Sequence, residues 1–209
     1  MSNNLNLKQP LIGLAGNIGV GKTTFTKIIS KRFGWHPFFE SVSDNPYLKD
    51  FYENMERWSF NLQIYFLHKR FIMHKKMEEL DCGAIQDRTI YEDVEIFARN
   101  LYKTGKMSNR DWNNYRDLFS AMTSYLKPPN LIIYLKGSTD TLLSRIKNRN
   151  RNYERTIKPE YINNLNNSYE RWIKSVKDYP LLTIETDDFN IHNDIKQLTK
   201  IEKQIRERI

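Results

Sequence analysis

The chain has 209 residues, and 33 Lys or Arg against 25 Asp or Glu give it a formal net charge of +8. That length suits one α/β domain spanning residues 1–209. No apolar run approaches the ~20 residues of a membrane-spanning helix, and the polar first residues do not form a signal peptide. A single cysteine, Cys82, excludes an internal disulfide and favours a cytoplasmic protein. We expect Cys82 to be buried ahead of a strand.

The positive charge suits a polyanionic ligand, which can be nucleic acid, a membrane surface or a nucleotide. The basic residues are spread along predicted helices, and no compact Lys/Arg block with interleaved aromatic residues occurs. The pattern therefore favours a nucleotide and predicts neither a nucleic-acid nor a membrane partner. Nucleic-acid binding is the weaker alternative, which strongly salt-dependent duplex binding would support.

The first predicted strand, Leu11–Ala15, leads into a glycine-rich loop. The segment Gly16–Thr23 matches the pattern G-x-x-x-x-G-K-[ST] without a mismatch, and apolar residues follow at helical spacing over 24–33. A strand, a glycine loop and a helix in this order are the setting of a nucleotide-binding P-loop.

The residue types of this loop suit phosphate binding. Glycines let backbone N–H groups curl around a phosphate, and the helix N-terminus adds partial positive charge. Lys22 is predicted to reach the β- and γ-phosphates, and Thr23 to hold Mg²⁺. The predicted ATP-binding residues here are Gly16, Asn17, Ile18, Gly19, Val20, Gly21, Lys22, Thr23 and Thr24.

Four further apolar runs predict strands, and long amphipathic segments predict helices between them. The later strands are Trp35–Phe39, Ala84–Gln86, Leu131–Leu135 and Leu181–Ile184. The helices span about 54–76, 91–103, 108–126 and 139–149, start again at 159, and end with 191–206. This alternation predicts an α/β fold, a five-stranded parallel sheet flanked by helices in a three-layer sandwich.

Charged residues follow the predicted strands at the edge where parallel sheets bind ligands. Glu40 follows the second strand, and Asp87 and Arg88 follow the third. A carboxylate can take a proton from an attacking hydroxyl, an arginine can stabilise a transferring phosphoryl group, and a second carboxylate can hold Mg²⁺. A lone glutamate at a strand end is more often simply solvated, but beside a P-loop the set indicates phosphoryl transfer.

Five segments, in order, carry a family resemblance. They are Gly16–Thr23, then Phe39-Glu40, then Tyr52 with Trp58 and Gln63, then Asp87–Asp93, then Arg145–Glu154. The series resembles the deoxynucleoside kinases, and most closely the bacterial-type deoxyadenosine/deoxyguanosine kinases. The resemblance extends from about Leu11 to Phe189 and implies a P-loop kinase fold with an arginine-rich lid over about 145–157.

The resemblance implies that the γ-phosphoryl group of ATP passes to a deoxynucleoside 5′-hydroxyl with the help of Mg²⁺. Glu40 would be the general base on that hydroxyl. Arg88 would contact the hydroxyl and the incoming phosphate, with Lys22 on the donor phosphates. Asp87 would hold Mg²⁺ together with Thr23.

It also implies how the acceptor is bound. Tyr52 and Glu154 would bind the 3′-hydroxyl, and Gln63 would pair with the base edge, because an amide offers both an acceptor and two donors. Arg70 and Asp93 would bound the base pocket and crowd a 5-methyl group. This predicts purine acceptors, deoxyadenosine before deoxyguanosine, with deoxycytidine possible. The alternative is an ion pair that merely braces two helices.

On the donor side, the resemblance implies that Arg145, Arg149 and Arg151 cover the ATP phosphates and that Asp188 and Phe189 contribute to the donor site. By itself, such an arginine run is more often a basic helix C-terminus that complements the helix dipole. The resemblance also implies a homodimer. Two alternatives stay open: a P-loop nucleoside monophosphate kinase and a non-kinase nucleotide-binding switch.

Overall fold

A computed structural model of the chain describes residues 9–39, 45–151, 154, 157–191 and 193–209. Its strands are β1 (Leu11–Gly16), β2 (His36–Phe38), β3 (Ala84–Asp87), β4 (Leu131–Lys136) and β5 (Leu181–Glu185). They form one sheet in the order β2-β3-β1-β4-β5, and every neighbouring pair is parallel. The five predicted strands are all present, with bounds that differ by two residues or fewer.

The helices follow the strands in alternation. They are α1 (Lys22–Phe33), α2 (Leu48–Glu53), α3 (Met55–Glu78), α4 (Ile90–Glu92), a π-helical segment (Asp93–Ala98), α5 (Arg99–Lys103), α6 (Asn109–Thr123), α7 (Thr139–Arg149), α8 (Pro159–Ser175) and α9 (Ile195–Arg206). Local signals explain several boundaries. Ser108 and Ser138 accept backbone N–H groups at the starts of α6 and α7, as N-cap residues do. Pro159 occupies the first turn of α8, where its missing N–H costs nothing.

Apolar side chains cover both faces of the sheet. Along β4, Ile133 and its alternate neighbours face a cluster that includes residues of α1, α7 and α9. Tyr134, which points to the other face, packs with residues of α8. Since both faces are buried at the centre of the sheet, β1 and β4 consist of nearly continuous apolar residues. The predicted three-layer sandwich is confirmed.

The structure differs from the sequence expectations in a few elements. The short helix α2 was not predicted. The last helix begins at Ile195 rather than 191, because Asp194 caps it by accepting the Gln197 N–H. Cys82 is exposed rather than buried, because it lies in the turn between α3 and β3. Within the described ranges, none of the helices is long and apolar enough to cross a membrane.

Candidate active site

A cavity of about 750 Å³ opens where the P-loop follows β1 and where β3 ends. Most of the predicted site residues line it: Ile18, Gly19, Gly21, Lys22, Thr23, Thr24, Tyr52, Gln63, Arg70, Asp87, Arg88, Asp93, Arg145, Arg149, Arg151 and Glu154. Apolar side chains from α2 and α3, among them Phe51 and Phe66, complete its wall. The cavity is therefore lined both by charged residues and by aromatic side chains.

A few predicted residues lie elsewhere. Gly16, Asn17 and Val20 belong to the loop but not to the cavity lining. Asp188 is exposed and Phe189 packs against the apolar core, so neither lines the cavity. The predicted general base, Glu40, lies outside the described residues.

The Asn17 side chain bonds to α8, while the part of this residue in ATP binding stays a prediction. Its side-chain amide donates to the Ile162 carbonyl at 3.0 Å and to Asn166 Oδ1 at 2.7 Å, both on α8. Its own Oδ1 accepts the Ile18 N–H at 2.7 Å. The side chain is buried, so Asn17 fastens the P-loop to α8 instead of pointing at the cavity.

The P-loop backbone needs glycine where it turns most sharply. Gly19 has a φ of 87°, and a Cβ there would lie 2.9 Å from the Leu142 carbonyl oxygen. Lys22 lies inside the loop, where its ammonium donates to the Gly16 carbonyl at 2.8 Å and to the Asn17 carbonyl at 3.0 Å. The lysine charge is therefore held among backbone carbonyls of the loop, and Lys22 itself lines the cavity.

Thr23 and Asp87 meet at the end of the sheet. The Thr23 hydroxyl donates to Asp87 Oδ2 at 2.6 Å, and both residues line the cavity. Asp87 is buried at the end of β3. A hydroxyl and a carboxylate are hard oxygen ligands of the kind that Mg²⁺ takes, so the pair fits the predicted metal-binding role.

Arg88 has a strained backbone at the cavity. Its φ is 74°, a left-handed conformation that costs a residue other than glycine about 1–3 kcal/mol and persists only where the surroundings enforce it. Its guanidinium donates to the Tyr169 hydroxyl at 3.0 Å and lies 4.4 Å from the centre of the Phe97 ring. The strained turn and these contacts place the arginine between the P-loop and the helices.

Glu92 is a site residue that the sequence analysis did not assign. It is fully buried, and it accepts the Gly16 N–H at 3.1 Å, the Thr89 N–H at 2.7 Å and the Tyr169 hydroxyl at 2.7 Å. The capping box that Thr89 and Glu92 form at α4 was the available signal, since this spacing marks a helix start. The carboxylate thereby joins the P-loop to the end of β3.

Gln63 and the Arg70–Asp93 pair line the cavity from α3 and the π-helical segment. Arg70 donates to Asp93 in an ion pair whose side chains are 2% and 1% exposed, and its guanidinium lies 4.6 Å from the Phe66 ring centre. Gln63 is 3% exposed, and its buried Oε1 has no hydrogen-bond partner. Because buried acceptors are normally paired, this amide is available to a ligand.

The predicted lid arginines divide into two kinds. Arg149 and Arg151 face Glu154: Arg149 Nε donates to Glu154 Oε2 at 2.7 Å, and Arg151 Nη1 lies 3.7 Å from Glu154 Oε1. Arg145 instead donates to the Val20 carbonyl at 3.1 Å and to the Thr186 carbonyl at 2.6 Å. It thereby connects the P-loop to the segment after β5.

Comparison with known proteins gives a consistent result. The sequence profile of the deoxynucleoside kinase family matches residues 12–209. The deoxyadenosine/deoxycytidine kinase of Bacillus subtilis is 42% identical over 95% of this chain and 92% of its own length. The deoxyadenosine kinase of Dictyostelium discoideum is 38% identical over 94% of this chain and 80% of its own. The structure of M. mycoides deoxyadenosine kinase with bound dATP has a TM-score of 0.82 and 33% identity, and covers 92% of this chain and 99% of that one.

Proposed function

The chain belongs to the deoxynucleoside kinase family, and from this premise we propose that its preferred acceptors are purine deoxynucleosides. Deoxyadenosine ranks before deoxyguanosine, and deoxycytidine is an additional substrate. ATP supplies the phosphoryl group in this proposal, and Mg²⁺ assists. The names of the relatives, which include deoxyadenosine and deoxycytidine, support the acceptor class.

The observation that carries the proposal is the unpaired Oε1 of Gln63 in a buried part of the cavity. An amide there can accept from the exocyclic amine of adenine and donate to the neighbouring ring nitrogen. A base that supplied both partners would satisfy an acceptor that is otherwise desolvated at a cost of about 1–3 kcal/mol. Gln63 would thus favour adenine or cytosine, each of which offers an amine next to a ring-nitrogen acceptor, over thymine, which offers neither.

The Arg70–Asp93 pair supports the same preference among deoxynucleoside acceptors. Both side chains are almost completely buried, yet both line the cavity. A buried ion pair contributes little net stability compared with apolar residues of the same size, whereas it presents fixed polar groups to a ligand. We infer that this pair reads polar groups on the base and leaves little room for a 5-methyl substituent, which disfavours thymidine.

Phosphoryl transfer in this proposal depends on positioning and charge neutralisation. Lys22 and the lid residues Arg149 and Arg151 hold the donor phosphates, and Arg88 stabilises the charge on the transferring group. Thr23 and Asp87 would hold Mg²⁺, which would supply positive charge beside the donor phosphates.

The acceptor hydroxyl needs a base. Glu40 takes this proton in our proposal, and its support comes from the sheet register: Phe38 of β2 pairs with Gln86 of β3, directly before Asp87. Residues that follow β2 in the chain therefore start from the edge where β3 delivers Asp87 and Arg88. Tyr52 and Glu154, which both line the cavity, bind the sugar 3′-hydroxyl.

We also propose that the chain forms a homodimer through α3 and α6. These helices pack on each other, and they carry exposed large apolar side chains: Ile72 on α3 is 45% exposed and Leu118 on α6 is 40% exposed. Tyr125, just after α6, is 74% exposed. Sedimentation of the chain and of Leu118→Glu tests this, since a dimer that dissociates in the variant is the expected result.

A location in a reducing cytoplasm stays a prediction.

The experiment that tests the function compares deoxyadenosine with dAMP as acceptor, with ATP and Mg²⁺ present. A nucleoside kinase phosphorylates deoxyadenosine, whereas a monophosphate kinase acts on dAMP. ATP turnover without any acceptor would instead indicate a nucleotide-binding switch. We expect ADP formation that depends on deoxyadenosine and is not stimulated by dAMP.

A further inference from the structure

The hydroxyl of Tyr169 lies among three groups of the candidate site. It lies 3.0 Å from Arg88 Nη1, 2.7 Å from Glu92 Oε1 and 2.9 Å from the Gly16 carbonyl oxygen. The side chain is completely buried on α8 and lies outside the cavity lining, so it cannot touch a substrate directly.

We propose that Tyr169 is a positioning residue for phosphoryl transfer, whose hydroxyl holds the Arg88 guanidinium and the first residue of the P-loop in one arrangement. The inference rests on the proposed function, because it gives Arg88 a part in the reaction. It differs from that function in that Tyr169 acts only through other residues.

The hydrogen-bonding capacity of a phenol fits this role. A phenol has one proton to donate and lone pairs with which to accept, so Tyr169 can accept from Arg88 while it donates to Glu92 or to Gly16. Burial, with a further contribution from the nearby Glu92 carboxylate, raises the pKa of Tyr169 well above 10. The hydroxyl therefore keeps its proton, and with it this set of bonds, at every pH used for assays.

Gly16 is held through both its backbone N–H and its carbonyl. Its N–H donates to Glu92 at 3.1 Å, while its carbonyl accepts from Tyr169 at 2.9 Å and from Lys22 at 2.8 Å. One buried network thus includes the P-loop lysine and Arg88, the two cations proposed to meet the phosphoryl group. A shift of the Tyr169 hydroxyl would change the position of Arg88 relative to Lys22.

The helix that carries Tyr169 contacts the P-loop along one face. Ile162, Asn166 and Tyr169 are spaced i, i+4 and i+7 and so lie on one side of α8. The first two hold Asn17, and Tyr169 holds Gly16. Since three successive positions of this face contact the loop, the Tyr169 hydroxyl belongs to a continuous support for it.

Tyr134 offers a matched control for the loss of one buried hydroxyl. Its ring stacks on that of Tyr169 with centroids 5.6 Å apart, and it is also buried. Its hydroxyl donates to Glu170 Oε1 at 3.4 Å, and Glu170 is not among the groups that bind Arg88 or Gly16. Tyr134→Phe therefore removes one buried hydroxyl from the same stack without removing a hydrogen bond of the network.

The test measures kcat and KM for deoxyadenosine and ATP in Tyr169→Phe and Tyr134→Phe. We expect kcat of Tyr169→Phe to fall about tenfold or more, as for small misplacements of catalytic groups, with both KM values within twofold. Tyr134→Phe should keep kcat within twofold. Equal kcat values in the two variants, or a rise in KM with kcat intact, would overturn the proposal.

A double-mutant cycle tests whether Tyr169 acts through Arg88. In an Arg88→Lys background the guanidinium is gone, so adding Tyr169→Phe should lower kcat by less than about twofold. If the two residues acted independently, Tyr169→Phe would instead lower kcat by the same factor in both backgrounds. The same fold loss in both backgrounds would contradict action through Arg88.

Nitrogen NMR on arginine-labelled protein supplies a readout that does not depend on activity or on the folding of a variant at position 169. In the unaltered chain, the Arg88 signals, assigned by their loss in Arg88→Lys, should show two separate Nη environments of a restrained guanidinium. A single averaged Nη signal would overturn the proposal. If the chain proved inactive on deoxynucleosides while this signal stayed restrained, the proposed function would fail and the positioning contact would stand.

Discussion

The Thr23 hydroxyl donates a 2.6 Å hydrogen bond to Asp87 Oδ2, which joins two residues 64 positions apart in the chain. This bond brings the first turn of α1 to the end of β3. Because α1 carries the P-loop lysine and β3 delivers Arg88, the bond brings the donor side and the acceptor side of the cavity together. The proposed metal site lies at this junction.

Thr23→Val should therefore weaken the use of Mg²⁺. The variant keeps the shape of the side chain and removes the ligand oxygen, so we expect the Mg²⁺ concentration for half-maximal activity to rise about tenfold or more. Titration of activity with Mg²⁺ at saturating ATP measures this. Thr199→Val, on the exposed side of α9, serves as control, and an unchanged Mg²⁺ requirement in Thr23→Val would contradict the metal assignment.

Glu40→Gln should abolish most turnover while ATP binding stays nearly intact. The amide keeps the size of the side chain but cannot take the 5′-hydroxyl proton, and general-base catalysis contributes about 10²- to 10⁴-fold. Steady-state kcat and equilibrium ATP binding are the measurements. Glu53→Gln, whose carboxylate is exposed on α2, is the matched control. Wild-type turnover by Glu40→Gln would show that another group is the base.

Gln63→Leu should separate activity from stability. Loss of the base contact should lower kcat/KM for deoxyadenosine about 10- to 100-fold, the equivalent of about 1–3 kcal/mol. The melting temperature should stay the same or rise, because the variant removes a buried acceptor that has no hydrogen-bond partner within the part of the protein that the structure describes. Asn61→Leu, also on α3 but outside the cavity lining, is the control. A fall in melting temperature with kcat/KM intact would assign Gln63 a structural role only.

We expect His74, which lies outside the cavity lining, to make the stability of the protein depend on pH. Burial lowers its pKa below the ordinary 6.5, partly opposed by its bond to the Lys127 carbonyl and by the charge of Glu78. The unfolded chain therefore binds a proton below about pH 6.5 that the folded chain does not. The contribution of neutral His74 to the free energy of unfolding is therefore complete above about pH 6.5. As the pH falls below that value, the free energy of unfolding decreases.

Urea unfolding at several pH values between 7 and 5 checks this. His74→Gln should reduce the loss of stability below pH 6.5, whereas His36→Gln, with an exposed side chain, should leave the slope unchanged. Equal slopes in all three proteins would show that the neutral His74 imidazole is not responsible.

The sheet and the P-loop were predictable because their signals are local. The run Leu11–Ala15 is apolar throughout, and the glycine pattern after it has few other uses. The carboxyl ends of parallel strands lie at one edge of the sheet, so the strand order alone groups Asp87 and Arg88 with the P-loop.

Other features depend on contacts between distant residues, which spacing does not reveal. Tyr169 meets Glu92 across 77 positions, and nothing in the polar, helical stretch around Tyr169 marks its hydroxyl as part of the site. Arg145 and Arg149 are equally basic and one helical turn apart, yet one binds the segment after β5 and the other faces Glu154. Tertiary contacts, not residue type, distinguish them.

The π-helical segment Asp93–Ala98 was also beyond prediction. Helical spacing over 91–103 predicts an ordinary helix, whereas the structure has a π-helical segment whose first residue, Asp93, pairs with Arg70. Such π-helical turns occur often at functional sites. No residue pattern in this sequence predicts the turn.

The central claim, a kinase that prefers purine deoxynucleosides, is tested most directly by one acceptor panel. The kcat/KM values for deoxyadenosine, deoxyguanosine, deoxycytidine and thymidine are measured with ATP and Mg²⁺ under identical conditions. We predict the highest value for deoxyadenosine, measurable activity with deoxyguanosine and deoxycytidine, and the lowest value for thymidine. Thymidine as the best acceptor would contradict the roles given to Gln63, Arg70 and Asp93.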